Sequence, residues 1–496
     1  MILYEIFTNH LIQLLPEFFL TTILLLLLLY GVFFKNINNQ KILIIKNTNT
    51  ILIYLLILSL LLTINFETIS STLLNGVLFI NNFTQLVKII LICCTIICLF
   101  LQKDYIIQQK ITFYEQNILF IISLLALMIL VSSNHFITLY LAIELQSLSF
   151  YILTGSQKQS IFSIEAALKY FILGSIASSF ILFGSSIIYM LIGSLNFSNI
   201  QLLLLNINFL KNINFLFGLF YGFTFILAGL FFKIGAAPFH FWLPDVYEGA
   251  PNNITTFFAI VPKISFIGLI IHLFFNIFYP ISFFYNSFFY ILILLSMVIG
   301  VLSSLKQKKL KRLLAFSSIS HVGFILIGFL VNTLNSIPFI LFYIIIYISM
   351  SINLWGSYLG LVINQKPVKY LTDLTNLVKD NKTLSIIIII NLFSLAGIPP
   401  LAGFFSKFFI FMVAVKMNFF NLVFFSVIVS IVSSFYYLKV IKIIFFEKLI
   451  RKQMILKIKK QISFPLLLNS QFIFFLFIKP SLLLVILNKI YLLLLL

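Results

Sequence analysis

Apolar runs of about twenty residues recur from one end of this chain to the other, each closed by a short polar stretch. An α-helix needs about that length to cross ~30 Å of hydrocarbon at about 1.5 Å per residue. The runs fall near 11–34, 42–64, 76–101, 112–131, 135–154, 163–192, 213–236, 253–279, 282–305, 311–331, 336–363, 383–412, 418–445 and 464–490. This pattern predicts an all-α polytopic membrane protein with about fourteen transmembrane helices. A membrane β-barrel would instead alternate apolar and polar positions over segments of about ten residues.

Loop charge supports that count. With the loops numbered in order, Lys and Arg crowd the odd ones, at 35–46, 103–110, 158, 306–312, 366–382 and 448–460. The even loops hold only Lys211 and Lys416. A missed or invented span would scramble the alternation. Cationic loops stay on the cytoplasmic or matrix side, which places both chain ends opposite. The seventh loop departs from the rule, with Asp245 and Glu248 and no cation, so something other than topology is expected to hold it. Lys88, Lys439, Lys442, Lys479 and Lys489 lie near span ends, where snorkelling explains them.

Composition narrows the class. The chain has 496 residues, 62% hydrophobic and 9% charged, with a mean hydropathy of +1.16. No soluble domain covers so much apolar surface with so few polar groups. The net charge of +20 therefore reflects topology and not nucleic acid, which would need a soluble domain to hold it. Cys93, Cys94 and Cys98 share one apolar run at spacings that suit neither zinc nor an iron–sulfur cluster. No dinucleotide fingerprint, phosphate loop or haem pair is present, so no redox cofactor is expected in this chain. The first apolar run is too long for a signal-peptide core, and no Arg-rich presequence precedes it. Heavy use of Phe, Leu, Ile, Asn, Lys and Tyr, including 61 Phe and 21 Tyr, points to an A/T-rich, organellar genome.

Two runs are interrupted. The seventh ends in Lys233-Ile-Gly-Ala-Ala-Pro238 and the twelfth contains Gly397-Ile-Pro-Pro-Leu-Ala-Gly403. Gly and Pro free backbone groups, which a membrane tolerates only where protein or water satisfies them. Paired breaks of this kind suggest repeats with a site between them, and a proline kink in each helix is the plainer alternative.

Near the breaks lie charges at membrane depth. Glu144, Lys169, Lys233, Lys263 and Lys407 fall inside apolar runs. Such groups must face protein or water, and they suggest ion or proton movement. Glu144 is either protonated or paired with a cation. Lys169 either pairs with Glu165 one turn back on its own helix or approaches Glu144 from the next. Lys233 precedes the first break, Pro262 loosens the helix beside Lys263, and Lys407 follows the second break. His321 stands among serines and suits either a proton relay or hydrogen-bonded packing. His240 braces the first break, and His10, His135 and His272 read as structural or interfacial. Spread over several helices, these groups predict a path running partly in the membrane plane, with each site's protonation shifting the next.

The segments around them resemble a known family. Pro238-Phe-His-Phe-Trp-Leu-Pro-Asp-Val-Tyr-Glu-Gly-Ala-Pro251 is the longest match. Leu141-Ala-Ile-Glu-Leu-Gln-Ser-Leu148, Glu165-Ala-Ala-Leu-Lys-Tyr-Phe171, Lys311-Arg-Leu-Leu-Ala-Phe-Ser-Ser-Ile-Ser-His321 and Ala396-Gly-Ile-Pro-Pro-Leu-Ala-Gly-Phe404 accompany it. Over roughly Glu17 to Phe446 the chain resembles the subunit 2 family of the proton-pumping NADH:ubiquinone oxidoreductase, respiratory complex I. The resemblance implies an antiporter-like fold with two inverted five-helix repeats and broken helices seven and twelve. It implies one transmembrane domain over 1–496: N-terminal helices at 11–101, a first repeat at 112–279, a second at 282–445, and a basic loop with a last helix at 446–496. By motif position it assigns proton translocation to Glu144, Lys169, Lys233, Lys263, His321 and Lys407. It places FMN, iron–sulfur clusters and quinone in sister subunits and none in this chain. Its partners are other complex I membrane subunits, including neighbouring antiporter-like ones, and membrane lipids. The Glu-Leu-Gln-Ser form resembles the mitochondrial version, which implies a multi-pass inner-membrane protein encoded in the mitochondrial genome.

Two other functions remain in contention. A free-standing cation/proton antiporter of the same fold would need oxygen ligands at mid-depth, where Glu144 is nearly the only acid. A non-transporting membrane scaffold would hold the same charges as frozen ion pairs.

Overall fold

A computed structural model of the chain describes residues 12–34, 41–65, 70–109, 113–205, 213–363, 366–375, 377–447 and 460–495. His10 and the loop cations Lys35, Lys110, Lys211, Lys448, Arg451, Lys452, Lys457 and Lys459 lie outside the described residues. The chain forms two compact units. One comprises 1–234, 261–284 and 492–496, the other 235–260 and 285–491. These limits do not coincide with 112–279 and 282–445, because residues 235–260 cluster with the later helices.

The first unit begins with α1 (Leu15–Phe34), α2 (Lys41–Asn65), α3 (Asn82–Gln108) and α4 (Glu115–Ser132). A hairpin of β1 (Ser71–Leu73) and β2 (Leu78–Ile80) precedes α3. It occupies the start of the run predicted as helix from 76. Its turn takes positive φ at Leu74, Asn75 and Gly76, which Asn-Gly readily supplies. Asn81 then caps α3: its side chain accepts from Thr84 N at 2.8 Å while Thr84 Oγ1 accepts from Asn81 N at 2.9 Å.

Next come α5 (Phe136–Thr154), α6 (Ile161–Ile192) and α7 (Ile213–Ile234). On α6, Ser163, Ala166, Tyr170, Gly174, Ala177, Ile181, Gly184 and Ile188 form one buried stripe at helical spacing. Its other face leaves Ile161, Phe162 and Met190 exposed, as a lipid-facing or subunit-facing helix does. The stripe meets α7 through small residues. Gly184 lies against the Gly222 carbonyl and Ile226, and Gly229 lies against Ile181 and the Ala177 carbonyl, with no room for a Cβ. Without a hydrophobic driving force between helices in lipid, such close backbone approach supplies the packing energy.

The second unit holds α8 (Trp242–Gly249), α10 (Asn286–Leu305), α11 (Leu310–Leu330), α12 (Ile337–Gly360), α13 (Lys382–Ala396), α14 (Ala402–Lys416), α15 (Phe420–Phe445), α16 (Lys460–Ile478) and most of α17 (Pro480–Leu495). The chain passes between the units within α9 (Asn252–Ile271). A turn of π-helix, His272–Ile277, continues α9. Asparagines join α12, α13 and α16: Asn469 Nδ2 donates to Ser349 O (2.8 Å) and Asn353 Oδ1 (3.0 Å), and Asn353 Nδ2 to Asn391 Oδ1 (3.2 Å). Polar side chains bind helices together where the surroundings offer no competing water.

Among the described residues, twelve helices are long and apolar enough to cross a membrane, or thirteen with one bent pair. The twelfth predicted run is divided into α13 and α14, fifteen residues each, shorter than a spanning helix. The run at 464–490 bends by 87° between Ile478 and Pro480. Proline disfavours helix at the residue before it and lacks the N–H the next turn would use.

Candidate functional site

In the first unit, Glu144 of α5 and Lys233 of α7 lie within electrostatic reach of each other without forming an ion pair. Glu144 is half-buried. The Ser147 hydroxyl lies 3.0 Å from its carbonyl oxygen and 3.3 Å from Oε2, and the Tyr140 phenol also reaches its carboxylate. Lys233 is buried at the last turn of α7. Its Nζ sits 5.9 Å from the Tyr151 ring centroid and has no hydrogen-bond partner among the described residues. A buried ammonium in that position is poorly solvated by protein, so water or proton loss must accommodate it. The next residue but one, Gly235, has φ +84°, which only glycine adopts at little cost, and the helix ends there.

Lys169 makes the first of its two alternative contacts. Its amine is 2.8 Å from Glu165 Oε1 one turn earlier, with the side chains 45% and 54% exposed. The pair therefore lies on the outer face of α6. Lys263 is buried on α9, one residue past the in-helix Pro262, whose carbonyl accepts from Ser265 Oγ at 2.9 Å.

In the second unit the Gly397 break becomes a cation site. Gly397 has φ +84° and caps α13. Lys407 Nζ, buried, donates to the carbonyls of Leu395 (3.0 Å) and Ala396 (2.9 Å) and lies 5.1 Å over the Phe324 ring. The lysine satisfies the carbonyls the break releases, at the helix end where the dipole favours positive charge. His321 is buried on α11 with both ring nitrogens engaged. Nδ1 lies 2.7 Å from the Tyr343 hydroxyl and Nε2 3.2 Å from that of Tyr437. The sequence reading missed these tyrosines, since one aromatic in an aromatic-rich helix carries no distinguishing signal.

The acidic seventh loop is held, as its charge anomaly required. Arg312 lies 2.5 Å from a carboxylate oxygen of both Asp245 and Glu248, and Lys309 pairs with Glu248. Lys311, read from sequence as a loop cation, is buried and donates to Ala250 O at 2.6 Å. The partners are a fifth to two-fifths exposed, so solvent screens them. Arg312→Gln is expected to cost only about 1 kcal/mol. Thermal unfolding at low and high salt checks this: the deficit should shrink as salt rises.

Lys88 corrects another expectation. It does not snorkel but lies buried on α3, 2.5 Å from Glu17 Oε1 of α1. Neither residue type at its position showed that the two helices would meet. His240 is buried in the first break and stacks on Phe241. His135 caps α5 by accepting from Ile137 N at 3.1 Å, and His272 packs between Phe79 and Phe197.

The family described as NADH:quinone oxidoreductase/Mrp antiporter, TM, matches residues 133–433, more than half of the chain. The chain belongs to that family. The matched segment contains all six candidate residues, Glu144 through Lys407. Among relatives in the NADH:quinone oxidoreductase/Mrp antiporter family, NADH-ubiquinone oxidoreductase chain 2 of Marchantia polymorpha is 37% identical over 477 residues, 96% of this chain and 97% of its own. NADH-quinone oxidoreductase subunit N of Parvibaculum lavamentivorans is 35% identical over 406 residues, 82% of this chain and 83% of its own. A chain of respiratory complex I from Thermus thermophilus superposes with a TM-score of 0.77 at 23% identity, covering 95% of this chain and 98% of that one. A chain of the Mrp complex from Dietzia sp. gives 0.78 at 17% identity, covering 96% and 97%. The antiporter-like fold expected from the sequence is therefore the one observed.

Proposed function

We propose that this chain is a core membrane subunit of a proton-pumping NADH:ubiquinone oxidoreductase, complex I, in the mitochondrial inner membrane. It moves protons through Glu144, Lys169, Lys233, Lys263, His321 and Lys407 while sister subunits carry FMN, iron–sulfur clusters and quinone. The observation that carries this reading is Lys233: a buried amine without a hydrogen-bond partner, electrostatically coupled to Glu144. A frozen scaffold pair would be expected in direct contact, as Lys88 and Glu17 are. The exposed Lys169–Glu165 pair faces outward from α6, where a neighbouring membrane subunit would meet it. Lipids would cover the remaining apolar faces.

A carboxylate that exchanges protons is disabled by its amide. Glu144→Gln is expected to leave the complex assembled and to lower coupled NADH oxidation and proton uptake into sealed vesicles about tenfold or more. Wild-type pumping with the amide in place overturns the assignment of Glu144. Loss of sodium or potassium exchange, with NADH-driven proton pumping intact, would favour the free-standing antiporter.

A further inference from the structure

Around His321 the second unit builds a seam of hydroxyls beyond the six residues of the proposed path. The imidazole's two nitrogens reach phenols on different helices, Tyr343 of α12 and Tyr437 of α15. Tyr437 also faces Ser317, and its ring lies 4.3 Å from that of Tyr436. The Tyr436 hydroxyl is buried, points toward the hydroxyls of Tyr437, Ser320 and Ser304, and closes a hydrogen bond to none of them. Four converging hydroxyls with one unsatisfied are the partners a single bridging water requires.

The seam has a direction. Ser304 is the penultimate residue of α10, at the loop that carries Lys306, Lys308 and Lys309. Tyr436 and Tyr437 lie within about 14 Å of the end of α15, before the basic 448–460 segment. Tyr343 is about 9 Å into α12 from the opposite end, where no basic loop precedes it. The two nitrogens of His321 thus contact phenols whose residues lie nearer opposite ends of the membrane-crossing helices.

Resting on the proton-carrier reading above, we infer that Ser304, Tyr436 and Tyr437 form a limb that delivers protons from the cation-rich side to Nε2 of His321, and that Tyr343 receives them from Nδ1. The relay balances at each step. Tyr437 gives its O–H proton to Nε2 while taking one from the Tyr436 side, so no phenolate accumulates. The imidazolium then gives Nδ1–H to the Tyr343 hydroxyl as Tyr343 passes its own O–H proton to a water beyond it, so imidazole and phenol both end neutral. Imidazole is suited to this because its two nitrogens exchange donor and acceptor roles. Hydroxyl rotation resets the seam.

Tyr437→Phe and Tyr436→Phe each remove one oxygen and keep the ring. In assembled complex, Tyr437→Phe is expected to lower coupled NADH oxidation and pumping about tenfold. It should also change the solvent deuterium isotope effect and the pH profile of turnover, and Tyr436→Phe should act in the same direction. The inference is overturned if both variants pump at wild-type rates, or if activity falls with isotope effect and pH profile unchanged, which marks a packing role. Should Tyr437→Phe not assemble, Tyr436→Phe alone decides. Lys233→Ala, measured in parallel, separates the two levels. If it fails while the tyrosine variants pump normally, the lysine path stands and this limb does not. If it too pumps normally, the underlying reading is at fault.

Discussion

Lys233→Ala is expected to abolish most coupled turnover while the complex still assembles. The wild-type amine makes no hydrogen bond among the described residues, so its removal leaves no partner there stranded and deletes a buried charge that burial disfavours. The remaining contact, 5.9 Å from the Tyr151 centroid, is weak at that distance. Stability should therefore change little. Function should change greatly, since a positioned proton-transfer group commonly contributes roughly 10²–10⁴-fold. Lys233→Arg sharpens the test. Arginine keeps the positive charge opposite Glu144 but does not release its proton. A scaffold needing only charge is rescued by arginine, whereas a proton carrier stays impaired. Pumping by Lys233→Arg at the wild-type rate would sink the carrier role.

Lys88→Met is expected to do the reverse, harming assembly more than chemistry. Its removal leaves Glu17 buried between α1 and α3 without its cation. Breaking one side of a buried ion pair typically costs about 3–5 kcal/mol, a large share of a membrane bundle's margin. The abundance of assembled complex on native gels should fall several-fold, and heat inactivation should come earlier. Adding Glu17→Leu should recover most of the loss, because replacing both members with apolar groups is often neutral. A single Lys88→Met that assembles normally would show that the pair contributes no stability. The pair lies outside the family match at 133–433, consistent with a role in seating the N-terminal helices.

What was legible in the sequence follows from the membrane itself. A bilayer forces long apolar helices, confines cations to one set of loops and makes each intramembrane charge conspicuous. Helix type, most spans and the two breaks could therefore be read directly, and six titratable residues stood out as candidates. The acidic loop announced a partner by breaking the charge rule. The hairpin at 71–80 was hidden because its apolar strands read as the start of a helix. The bend at Pro480 was hidden because proline kinks and continuous spans share one composition.

Sequence alone marked Glu144, Lys233, Lys263 and Lys407 as charges inside apolar runs, because a charged side chain in a twenty-residue apolar stretch stands out whatever its partner. Only the tertiary structure decided partnership: Lys169 with Glu165, Lys88 with Glu17, Lys407 with the carbonyls of Leu395 and Ala396, His321 between two phenols. Pairing depends on which helix faces meet. Where every face is apolar, that is fixed by small-residue contacts such as Gly184 against Gly222 and not by periodicity along one strand of sequence.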